Sequence, residues 1–171
     1  MRFALPVALL LSLIVSLSVL PARADTLDLA FPAPQWRKQM APDGLGFDCV
    51  SEQCGAPAHV AIFIAPANPA MASKIRSGAL NRAWAEKLAA TYRRTQGDKV
   101  TLLDFAIDTG HVPSWSMVYE CNCEGATSFI SSRTIAREKN TMTFFSLARN
   151  AEAAQENMNK MIEAALGANS R

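Results

Sequence analysis

The sequence contains no block of like charges, no second long apolar run and no motif that carries a reaction. Each absence removes a class of function. Without a basic block the sequence gives no electrostatic reason to expect nucleic acid or an anionic membrane as partner. Neither Gly-x-Ser-x-Gly nor Ser-x-x-Lys occurs, so a serine nucleophile has no cue. Cys-x-x-Cys is missing too, which removes the usual sign of thioredoxin-like exchange. There are only two histidines, His59 and His111, so acid–base or metal chemistry has few places to sit. No repeat, low-complexity tract or interdomain linker divides the chain.

What is present begins with an export signal. Met1-Arg2, an apolar run from Phe3 to Leu20 and Pro21-Ala22-Arg23-Ala24 read as a secretory signal peptide cut after Ala24. An uncleaved anchor is the rival, because the run approaches spanning length. Pro6 and three serines weaken it, and small residues stand where a peptidase needs them. Residues 25–171 then form one domain. Cleavage takes Arg2 and Arg23 from 17 basic residues and nothing from 15 acidic ones, which leaves the charges balanced. The expected location is periplasmic or secreted. Such compartments are oxidising, so the four cysteines are expected as disulfides.

The clearest strand signal is Trp115 to Cys123. Trp115, Met117, Tyr119, Cys121 and Cys123 share one parity, opposite Ser116, Val118, Glu120 and Asn122. Before it come an irregular lead from Asp25 to Pro34 and a short strand at 35–40 anchored by Trp36. Residues 41–46 read as a turn, Phe47–Val50 as a second strand, and 51–57 as a loop. Ala58–Ala65 is apolar on both parities and therefore central. Asn68-Pro69 announces a helix running to about Gln96, with Gly97 at its end and a break at Ser77-Gly78. Val100–Asp108 is a strand with Leu103, Phe105 and Ile107 inward and Asp104 and Asp108 outward. After Trp115–Cys123, Glu124-Gly125 turns the chain into 126–137, and 138–140 closes a hairpin into 141–148. A last helix capped by Asn150 buries Ala154, Met158, Met161, Ile162 and Ala165, and ends at Gly167. The expected class is α+β: an antiparallel meander with a long central helix and a C-terminal helix packed on it.

That order of N-terminal strands, long helix, antiparallel run from Val100 to Ala148 and closing helix Ala151–Leu166 resembles the PsbP-like α/β/α sandwich. The resemblance covers nearly all of residues 25–171 and is one of topology. It implies a binding or assembly factor more than an enzyme.

The cysteines fall as Cys49-x4-Cys54 and Cys121-x-Cys123. Same-face side chains two apart on a strand diverge too far for a direct bridge. Cross-links between the two segments are therefore favoured, and a loop that long would contribute about 3–5 kcal/mol. If the chain instead turns at Asn122, Cys121–Cys123 closes on itself and Cys49–Cys54 clamps a short loop. Reduced, Cys121 and Cys123 with Cys49, Cys54, His59, His111 or Met117 would offer copper or zinc a soft site. His111 near Asp108 permits a general base and hence a small hydrolase. His59 reads as a partly buried strand residue. The aromatic and methionine positions fall at core spacings, and Arg93-Arg94, Arg133 and Arg137 read as solvated. The leading expectation is an exported, non-enzymatic binding or assembly protein without cofactor. Its partner would be a protein or small molecule, not nucleic acid, and not a membrane once the signal is cut.

Overall fold

The computed structural model describes residues 34–41, 44–96, 99–123 and 126–168. The signal segment with Ala24, the lead from Asp25, the Gly97 helix end and the Glu124-Gly125 turn lie outside the described residues. Strands β1 (Trp36–Ala41), β2 (Gly44–Cys49) and β3 (Ala58–Pro66) come first, with a 3₁₀ turn at Glu52–Cys54 between the last two. Helices α1 (Pro69–Arg76) and α2 (Arg82–Gln96) follow. Next are β4 (Lys99–Asp108), β5 (Ser114–Cys123), β6 (Ala126–Ala136) and β7 (Asn140–Ala148), and α3 (Ala151–Ala168) closes the chain.

The seven strands form one sheet in the order β1-β2-β3-β7-β6-β5-β4, antiparallel at every pairing. Two hairpin-connected runs therefore meet at β3 and β7. The α1–α2 segment carries the chain from β3 to the far edge at β4, which lets the second run wind back.

Local chemistry fixes the helix ends. Asn68 Oδ1 accepts from Met71 N at 3.0 Å with Pro69 in the first turn, and the break comes at Gly78, whose φ is +72°. Asn81 Oδ1 restarts the helix by accepting from Trp84 N at 3.0 Å, a second cap whose residue drew no notice in the sequence. Asn150 Oδ1 accepts from Ala153 N at 2.7 Å at the head of α3.

Helices cover both faces of the sheet. Under α3, Phe47, Val60, Ile62, Met142 and Phe144 pack against Met158, Met161, Ile162 and Ala165. On the opposite face, Trp115, Met117, Tyr119 and Cys121 pack with Ile75 and Leu80 and with Ala85 and Ala89 of α2. Trp84 meets Trp115 edge-on, with ring centroids 5.3 Å apart. Among the described residues no helix is long and apolar enough to cross a membrane.

Strand β4 departs from the expected parity. Val100 and Leu102 face α2, a bulge intervenes between Leu102 and Asp104, and Phe105 and Ile107 then face α2. Leu103 is the extra residue and stands 40% exposed instead of inward. The bulge lets one strand bury an even-numbered pair and then an odd-numbered one.

Candidate functional site

The helices are staggered across the sheet. α3 lies on β7, β6 and β3; on the other face α1 lies on β5 and β6, and α2 on β4. The α1–α2 layer thus leaves the β1–β3 end of its face outside its main contacts. One register row there reads Arg37, Asp48, His59 and Leu147 across β1, β2, β3 and β7.

His59 Nδ1 lies 2.6 Å from Asp48 Oδ1, across the β2–β3 pairing. The carboxylate holds the ring by its Nδ1 side and leaves Nε2 on the side of Gly46, and such a carboxylate contact is one that orients an imidazole as base or ligand. Gly46 makes room for the His59 ring, and Gly44, further along β2, for that of Phe63. A Cβ on Gly46 would sit 3.0 Å from His59 Cε1 and 3.4 Å from Nε2. One on Gly44 would sit 2.5 Å from the Ile62 carbonyl oxygen and 2.8 Å from Phe63 Cδ1. Gly44 and Gly46, expected in a turn, are strand residues because the rings of Phe63 and His59 occupy the space their side chains would need.

The Asp108–His111 pair that the sequence permits is not among the contacts of the described residues. Asp108 Oδ1 accepts from Gly110 N at 2.9 Å and closes its own turn, while His111 stands exposed beyond it. The Asp–His pair belongs instead to residues 48 and 59. Asp48 drew no notice in the sequence, although its parity opposite Phe47 and Cys49 already placed it on the face that His59 shares.

The cysteines close locally. Cys49 and Cys54 form a disulfide, with Cα atoms 6.6 Å apart. The favoured cross-link to Cys121 or Cys123 is overturned by the sheet order. Strands β3, β7 and β6 separate β2 from β5, a span of roughly 19 Å at the usual strand spacing, against the under-7 Å a disulfide tolerates. The two segments also face opposite layers: Cys49 lies under α3, and Cys121 lies with the α1–α2 cluster. Cys121 is itself disulfide-bonded; the side chain of Cys123 lies outside the described residues. The soft-metal set is likewise dispersed, with His59 on β3, His111 in the β4–β5 turn and Cys121 near the far end of β5. Among the described residues no three His, Cys, Asp or Glu side chains converge as metal ligands would.

The Cys49–Cys54 loop is built into the fold. Ser51 Oγ accepts from Gln53 N at 3.3 Å, and Gly55 takes a φ of +70° to end the 3₁₀ turn. The buried Asn157 of α3 donates through Nδ2 to the Cys54 carbonyl at 3.0 Å, and Arg149 N donates to the Gly55 carbonyl at 3.2 Å. The sulfurs fill a space floored by Ala58, Ala148 and Ala154 and flanked by Trp36 and Phe129.

No protein-family model matches the sequence, and no curated protein matches it either. Among solved structures, the solution structure of cyanobacterial PsbP (CyanoP) from Synechocystis sp. PCC 6803 aligns with a TM-score of 0.55 at 8% identity, covering 77% of this chain and 81% of that one. The fold is PsbP-like. LpqN, described as involved in cell envelope biogenesis of Mycobacterium tuberculosis, aligns with a TM-score of 0.44 at 12% identity over 81% of this chain and 79% of its own.

Proposed function

We propose that this chain is an exported protein of binding or assembly type, acting outside the cytoplasm, and not an enzyme. The observation that carries the reading is the β1–β3 end of the sheet. It lies outside the main helix contacts, yet it is organised by the Asp48–His59 pair, by two glycines and by Arg37 in the same register row. An ordered, half-open sheet face with mixed polar groups suits recognition of a protein or small molecule. The PsbP-like resemblance points the same way by analogy of fold, and the Cys49–Cys54 disulfide suits an oxidising compartment.

The one observation favouring a second reading is the 2.6 Å contact between Asp48 and His59, which would orient a general base in a small hydrolase. A panel of hydrolase, thiol-oxidase and isomerase assays on the exported protein, run beside His59→Ala and Asp48→Asn variants, separates the two. The binding reading expects no turnover above blank in any of the three proteins. Turnover that disappears in His59→Ala would overturn it in favour of the hydrolase.

A further inference from the structure

The charges balance after residue 24, yet the fold distributes them unevenly. Residues 69–96, which make up α1, α2 and their joint, contain six basic residues and one acid, Glu86. Lys74, Arg76, Arg82 and Lys87 are exposed, and Glu86 pairs with Arg82 at 3.2 Å, so basic residues outnumber acids on this side. The opposite side carries charges of both signs, with Lys38 and Arg133 in register with residues under α3 and Arg137 against Met142. Glu152, Glu156 and Glu163 are exposed on α3, with Lys160 paired to Glu156 at 2.6 Å. Asp104 and Asp108 stand exposed in the same register rows as Ser131 and Ile135, which lie beneath α3. A scalar net charge of zero hides the local excess of basic residues on the α1–α2 side.

We propose that the α1–α2 side rests on an anionic phospholipid surface. Three features select that partner. Both helices already bury their apolar residues against the sheet (Ile75, Ala85 and Ala89), so attraction by charge is what they have left to offer. The exposed positions between the basic residues are small, as at Ser73, Ala79 and Ala83, which suits a layer lying flat on headgroups. Among the described side chains of the two helices no ring is open for stacking on bases, since Trp84 is half-buried and held edge-on against Trp115, and this favours phospholipid over nucleic acid. The contact is peripheral and reversible, and it does not depend on the binding role argued above.

Co-sedimentation of the exported, processed protein with vesicles tests it. Vesicles of phosphatidylglycerol and phosphatidylcholine in equal parts should carry the protein down at low salt, and phosphatidylcholine alone should not. Each charge removed should lower partitioning about five-fold. Lys74→Gln/Arg76→Gln should therefore bind about thirty-fold more weakly, and about 0.5 M salt should release the wild type. Glu152→Gln/Glu156→Gln, on the far side, should bind at least as well as wild type. Three results would overturn the proposal: equal capture by phosphatidylcholine, wild-type binding by the Lys74/Arg76 double variant, or displacement from the vesicles by duplex DNA at equal phosphate.

Discussion

Replacing Cys49 and Cys54 together by alanine isolates the contribution of the loop clamp. The bond spans a sequence separation of 5, and for a loop that short the chain-entropy relation gives about 2 kcal/mol. A cross-link from Cys49 to Cys121 would give about 4–5 kcal/mol by the same relation. Packing adds to the local figure. Cys49 is 1% and Cys54 5% exposed, and the sulfurs they lose leave a gap between Trp36, Phe129 and the alanines of α3. Two small deletions of that kind cost about 1–2 kcal/mol together. The expected loss is thus about 3–4 kcal/mol, within the 5–15 kcal/mol typical of a domain, so the variant should still fold. Urea unfolding followed by tryptophan fluorescence should show a lower midpoint at unchanged slope. Because one bond is shared, Cys49→Ala alone should lose nearly as much as the double variant. A double variant within about 0.5 kcal/mol of wild type, or single losses that simply add, would refute the reasoning.

Gly44→Ala should destabilise by at least about 2 kcal/mol, since its Cβ would meet the Ile62 carbonyl oxygen, which is backbone and cannot yield. Gly46→Ala should cost less, about 1 kcal/mol, because the His59 ring can swing aside; loss of the Asp48–His59 contact would appear as changed His59 ring shifts in NMR spectra. Asn157→Leu removes the donor to the buried Cys54 carbonyl and should cost about 1–3 kcal/mol by the same urea assay, with faster hydrogen exchange in residues 51–56. Breaking the exposed Arg82–Glu86 pair with Glu86→Gln should change stability by under about 0.5 kcal/mol.

Much of the architecture is legible in residues whose message is local. Asn68-Pro69, Ser77-Gly78 and Asn150 announce helix ends through backbone chemistry that needs no tertiary context, and the alternation from Trp115 to Cys121 marks a buried strand face. Long-range pairing is not legible in this way. Nothing in Ala58–Ala65 says that its inner neighbour is Thr141–Leu147, yet that pairing decides that Cys49 and Cys121 lie four strands apart and on opposite faces. The Leu102–Asp104 bulge was half visible: Val100 and Leu102 on one parity with Phe105 and Ile107 on the other can share a face only if a residue is skipped. The Asp48–His59 pair needed the β2–β3 register, and that register depends on glycines which, read locally, signal a turn.

The sulfurs of Cys49 and Cys54 close one small loop and do not join the two halves of the sheet. A non-reducing tryptic map tests this directly. Cleavage after Lys38, Lys74, Lys99 and Arg133 leaves residues 39–74 and 100–133 as separate peptides, each holding one cysteine pair. Residues 39–74 should be found as a single species with an internal disulfide, which opens into two linked fragments on further cleavage after Glu52. Residues 39–74 found linked to residues 100–133 would contradict it.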